Sequence, residues 1–154
     1  MDDPLAPFRE GERARDAEVE TTCERDLLLF EHGGVAYAVP ASSVDVVVAW
    51  NPPAPLPASV PGFAGVLQDR GRVVAILTSP LARPRAGETE ERRIVICSTR
   101  RGFIGLPCVR TSDVGPVRLA AAPVPGEVVD SSRGPVVFVD PELLVDELSV
   151  GARA

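Results

Sequence analysis

The stretch from Pro61 to Leu77, PGFAGVLQDRGRVVAIL, sets two apolar runs against each other across Gln68-Asp69-Arg70-Gly71. A short polar segment ending in glycine predicts a tight β-hairpin, because glycine adopts positive φ without steric cost. The pattern returns later in the chain. Val60-Pro61-Gly62 and Arg70-Gly71 lie over Val124-Pro125-Gly126 and Arg133-Gly134, while Val39-Pro40 lies over Leu106-Pro107, each closing the second strand of a hairpin. A unit of five short strands buries one apolar side only by curling up or packing on a partner. At roughly 60 residues such a unit is marginal alone, so two copies should pack together. The fold expected is therefore all-β: two pseudo-symmetric halves of about five strands, each curled into a small barrel or packed as a sheet on its partner, with a groove between them as the predicted place for a ligand and a shared dry interface as the alternative.

The individual strands are set by alternation and breakers. Leu27 to Phe30 and Val35 to Val39 flank the turn Glu31-His32-Gly33-Gly34, and Pro40, which cannot donate to a ladder, ends that hairpin. Val44 to Trp50, VDVVVAW, is apolar on both faces except at Asp45. Five prolines between Asn51 and Pro61 exclude a helix or a central strand there and predict a semi-extended connection. Thr78 to Arg92 is breaker-rich and links the halves. Arg93 to Ser98 and Phe103 to Leu106 form the next hairpin, ended by Pro107, and pairing about its turn sets Ile104 opposite Cys97. Val114 to Leu119 is a short strand, and Glu127 to Asp140 is the last hairpin. Asp140 is placed to cap a short C-terminal helix, 141–148, with Pro141 in its first position. Residues 1–25 are charged and poor in large apolar groups, and read as a mobile tail. The ordered domain is then 26–148, with halves of about 26–80 and 93–140.

Charge and residue types exclude several functions. A net charge of -6 with no concentrated basic segment argues against nucleic acid. No lysine is present, so there is no Schiff-base or phosphate-loop lysine in this chain. No apolar run approaches the ~20 residues of a membrane span. The start of the chain lacks a signal-peptide core, and three cysteines without CxxC spacing point to a reducing cytoplasm. Cys23, Cys97 and Cys108 read as buried thiols, His32 as a solvated turn residue, and neither pattern nor spacing supports a metal site, a cofactor or a catalytic dyad. Arg70, at a turn tip, could meet a carboxylate through its forked guanidinium. Val44, Val46, Phe63 and Val66 lie on strands predicted to line the outer or groove face of the first barrel, where either core burial or a partner strip fits them.

The opening LLLFEHGGVAYAVP, the strand VDVVV, the proline-containing loop, PGFAGVLQDRGRVVAIL, then IVICSTRRGFIGLPC and the closing VVFVDPELL form an ordered series. It resembles the CheW-like domain of bacterial chemotaxis, from about Asp26 to Leu148. That resemblance implies two five-stranded barrels related by a pseudo-twofold, and no enzyme activity. It implies a cytoplasmic adaptor between the tip of a methyl-accepting chemoreceptor and the regulatory domain of a CheA-type histidine kinase. The family's Asn-Leu-Arg-Gly turn falls on Gln68-Asp69-Arg70-Gly71, so Arg70 carries over as a partner contact with Gly71 beside it, while the asparagine and leucine do not; Val44, Val46, Phe63 and Val66 remain the candidate strip read from the strands themselves. Val46 stands where a glutamate often sits, Thr78 where an acidic residue is common, and Pro107 where an aspartate is usual. A β-barrel sensor for a small ligand is the alternative from a different class.

Overall fold

The computed structural model describes residues 22–56, 60–82, 90–120, 124, 126–131 and 133–153. Ten strands form in order: β1 (Thr22–His32), β2 (Val35–Pro40), β3 (Val44–Ala49), β4 (Phe63–Asp69), β5 (Arg72–Leu77), β6 (Arg93–Thr99), β7 (Gly102–Cys108), β8 (Arg110–Ala120), β9 (Val128–Ser131) and β10 (Gly134–Phe138). A helix, α1 (Pro141–Arg153), ends the described chain. The Asp140 carboxylate accepts from the Glu142 and Leu143 amides at 3.0 and 3.3 Å, so the expected cap is present. The helix runs past the expected Leu148. Most of the tail 1–25 lies outside the described residues, but Thr22 to Arg25 belong to β1 and pair with Val117 to Ala120.

Hairpins form where the breakers place them. Gly33-Gly34 and Arg70-Gly71 are two-residue connections with positive φ at both positions, 59° and 77° in the first and 48° and 80° in the second. This geometry suits the right-handed twist of the flanking strands. Cys97 pairs with Ile104 as the register predicts. Two strand ends differ from expectation. Pro40 pairs with Leu27 inside β2, and β7 continues through Pro107 to Cys108.

The ten strands make two five-stranded sheets of orders β8-β1-β2-β10-β9 and β3-β6-β7-β5-β4. Advancing every strand of the first by five positions, cyclically, produces the second, so the duplication seen in the sequence is a duplication of topology. Each sheet contains one parallel pair, β2 with β10 and β5 with β7. The sheets do not coincide with the halves 26–80 and 93–140, however. The first sheet takes two strands from one half and three from the other, because β1 finds its second neighbour in β8 rather than in β3. The halves are units of repetition, and the sheets are the units of packing.

Three apolar clusters explain the barrel-like shape of the sheets. Leu27, Leu29, Ala38, Val117, Val136 and Phe138 fill the inside of the first. Val74, Ile76, Ile94 and Ile96, with Val46, Val48, Trp50, Leu67 and Phe103 beside them, fill the second. Between the sheets lies the third cluster, which includes Leu28, Phe30, Val39, Val95, Ile104 and Leu106 and is closed by Leu144 and Val145 of α1. Strand alternation sorts the residues: Leu27 and Leu29 of β1 enter the cluster of their own sheet, and Leu28 and Phe30 enter the shared layer. The expected groove between the barrels is thus largely filled by packed side chains.

Candidate functional site

A β-bulge builds the site. Val44 pairs with Cys97 and Val46 with Ile96, which leaves Asp45 as the extra residue of β3. One extra residue swaps the two faces for the remainder of the strand and re-aims the bulged side chain. Val44 accordingly packs on the inter-sheet cluster while Val46 and Val48 face the second barrel. Asp45 is left pointing toward the tip of the β4–β5 hairpin.

Four charges meet there. Arg72 Nη2 lies 2.7 Å from Asp45 Oδ2 and 3.0 Å from Asp69 Oδ2. Arg70 is looser, with Nε 3.3 Å from Asp69 Oδ2 and Nη2 3.7 Å from Asp45 Oδ2. The Arg72 guanidinium also sits 4.3 Å above the Phe103 ring centre, a cation–π placement. Its Nε is buried and makes no hydrogen bond. Arg70 remains 64% exposed, Arg72 only 25%. The hydrogen bonds from Arg72 hold both the Asp45 and Asp69 carboxyls below the ordinary 3.8, against the opposing effect of desolvation and with help from Arg70.

These depressed values fix a pH window. A carboxyl with a lower pKa in the folded state adds stability that is fully present above its unfolded value and is lost as pH falls through the folded one. The urea midpoint advantage of the native chain over Arg72→Gln should therefore be constant above about pH 5 and shrink below about 3.8. An advantage unchanged down to about pH 2 would mean that Arg72 stabilises through packing and not through the carboxylates.

The residues singled out in the sequence are only partly brought together. Arg70, Val46, Asp45 and Arg72 line one shallow depression, with Gly71 beside it in the turn. Val44 and Phe63 are half-buried against the inter-sheet cluster. Val66 is half-buried on β4, where it exchanges two backbone hydrogen bonds with Ala54 of the proline-rich segment. Asp45 as the acid, and Arg72 as its main partner, are the residues that sequence reasoning missed. Asp45 is visible as the single charge in an apolar strand, but β3 and β5 are not neighbours in the sheet, so no local register connects it to Arg72.

His32 is a correction. It is the last residue of β1, 3% exposed rather than solvated, because its even position puts it on the face that carries Leu28 and Phe30. Its Nε2 stands 3.6 Å from Glu91 Oε1. Cys97 and Cys108 are buried, and burial pushes both thiols up to about 12, so neither is a nucleophile at neutral pH. A separate groove of about 530 Å³ is bordered by Trp50, Pro61, Leu77, Ala82 and Pro107, with Thr78 and Glu91 also on its wall. It is mainly apolar, without the convergent polar groups that orient a small ligand. Elsewhere, the β6–β7 turn is tied to α1 by Arg100 on Glu142 and Asp146 and by Arg101 on Asp146.

Two barrel-like five-stranded sheets with an exposed, ion-paired hairpin tip define an all-β, duplicated class of domain. The family profile of the CheW-like domain matches residues 26–145, and the chain belongs to that family. It is 30% identical over 93 residues to a probable chemotaxis protein CheW of Rhizobium etli, covering 59% of this chain and 60% of that protein. The chain thus aligns with less than two thirds of that relative's length. Among solved structures, the scaffolding protein TtCheW from Thermoanaerobacter tengcongensis superposes with a TM-score of 0.62 at 14% identity, covering 79% of this chain and 92% of that one, a likeness of fold. Among the described residues no helix is long and apolar enough to cross a membrane.

Proposed function

We propose that the chain is a non-catalytic cytoplasmic adaptor that couples the tip of a methyl-accepting chemoreceptor to the regulatory domain of a CheA-type histidine kinase, by binding alone. The observation that carries this reading, beside the family, is Arg70. It occupies left-handed backbone, φ 48°, at a position where the corresponding turn of the β1–β2 hairpin has glycine. For a non-glycine residue that conformation costs about 1 kcal/mol or more. An exposed arginine held in left-handed backbone at a hairpin tip can offer its forked guanidinium to a carboxylate of a partner, and backbone outliers of this kind cluster at functional sites. Gly71 and Val46 complete the contact patch. Val44, Phe63 and Val66 serve it indirectly, by holding β3 and β4 in place.

Co-sedimentation of the full chain with receptor-tip fragments and with kinase regulatory domains tests the proposal. The native chain should bind both, and Arg70→Glu should weaken receptor binding about tenfold or more, with a reduced salt dependence. Normal binding by the folded variant removes Arg70 from the contact, and a native chain that binds neither partner overturns the adaptor reading.

A further inference from the structure

We infer that Arg72 is the positioning residue of this surface: it occupies both neighbouring carboxylates and so leaves the Arg70 guanidinium available to an acidic side chain of the partner. The inference rests on the reading above, in which Arg70 faces that partner. Its basis is the inequality of the four contacts. A single nitrogen of Arg72 reaches Asp45 and Asp69 at 2.7 and 3.0 Å, both within hydrogen-bond range. Arg70 stands farther from each carboxylate: its Nε donates one long, exposed hydrogen bond to Asp69 at 3.3 Å, and its 3.7 Å approach to Asp45 is too long for another. Exposed pairs of that kind hold weakly and exchange readily for a better acceptor.

Arg72 can do this because its guanidinium is fixed from below. Phe103, on β7, lies beside β5 in a parallel pair that sets Val74 opposite it, and its ring supports the guanidinium at 4.3 Å. The arginine therefore bridges from β5 to the bulge of β3, across the intervening strands. Two carboxylates then face two guanidinium groups, a balanced set. Without Arg72 the same two carboxylates would have Arg70 as their remaining cation in this cluster. Arg70 would fold back onto them, and an approaching acidic side chain would meet a net negative tip. Arg72 thus acts through Arg70 and touches no partner in this arrangement.

The test uses the full chain and a soluble receptor-tip fragment, with affinities measured for Arg72→Gln, Asp45→Asn, the double variant and Arg70→Gln. Arg72→Gln should bind about five- to tenfold more weakly, Asp45→Asn no more weakly than the native chain, and the double variant should recover most of the loss because the charge balance is restored. Arg72→Met, which keeps an apolar stem over Phe103, serves in place of Arg72→Gln if the latter does not fold. Independently of any partner, carbon-detected titration of the aspartates should show both carboxyls rising in the Arg72 variant yet staying below the ordinary range, because Arg70 folds back onto them, and staying low in Arg70→Gln. Binding within about twofold of native in the Arg72 variant, or a loss that Asp45→Asn does not relieve, overturns the inference and assigns Arg72 a packing role. Undiminished binding by Arg70→Gln would instead sink the underlying reading of Arg70, whatever Arg72 does.

Discussion

Truncation of Phe30 to alanine should lower folding stability by about 3–5 kcal/mol. The side chain is 2% exposed and stacks on Tyr37 with ring centroids 5.5 Å apart and planes at 18°. It lies in the layer between the two sheets, among side chains of β1, β2, β6, β7 and α1, so its removal leaves a hole that no single element can close. A domain of this kind has a total stability of roughly 5–15 kcal/mol, so the loss is a large share of it. With a urea slope of about 2 kcal/mol per molar, the midpoint should fall by about 2 M. A fall corresponding to less than about 1 kcal/mol would show that the two sheets do not depend on this layer for their cohesion.

Gly105→Val is the second large effect, and it operates by the opposite mechanism. A β-carbon added at Gly105 would stand 2.5 Å from Ile76 Cδ1 and 2.7 Å from Ile94 Cγ2, inside the second barrel. Ile76 Cδ1 is the end of its side chain, but Ile94 Cγ2 is a branch methyl on the β-carbon and cannot swing aside, and Val74 Cγ1 stands 3.4 Å away in the same filled interior. Overpacking of this sort costs about 1–3 kcal/mol, and valine, with three added carbons, should reach the top of that range or pass it. Alanine should cost less. Ile76→Val in the Gly105→Ala chain should restore part of the loss, since it removes the methyl that the new carbon meets. Equal stability of Gly105→Val and the native chain by urea unfolding would contradict the described interior. Phe30 lies in the inter-sheet layer, away from the Arg70 tip, so Phe30→Ala, where folded, should still bind what the native chain binds.

Local chemistry makes much of this architecture readable in the sequence. Gly33-Gly34, Arg70-Gly71 and the Asp140-Pro141 start of the helix announce themselves because turns and caps are decided by residues within four positions of one another. The mainly β class, and the register that sets Cys97 against Ile104, rest on the same short-range logic. Sheet membership does not, because β1 with β8, β2 with β10 and β5 with β7 are pairings between distant segments that no alternation pattern specifies. His32 misleads for a related reason. A histidine beside two glycines reads as part of a turn, whereas its parity with Leu28 and Phe30 sends it inward. At the candidate site Arg70 is legible as a turn residue, but the position expected to hold an answering acid is Val46, one residue from Asp45. The bulge that turns Asp45 toward Arg72 has no signature in composition.

The mixed membership of the first sheet also bears on how the molecule comes into being. β3 to β7, which make the second sheet, are consecutive, and every partner they need has been synthesised once Cys108 leaves the ribosome. The first sheet must wait for β8, β9 and β10. Until then the Leu27 to Phe30 run has only its hairpin partner β2, and one flank of that apolar run stays unpaired. Pairings across such long separations are slow and leave strand edges open to the wrong neighbour. Val95, Ile104 and Leu106, which share the inter-sheet layer with Leu28 and Phe30, are synthesised before β8, so the side chains that will cover this run precede its final strand partner.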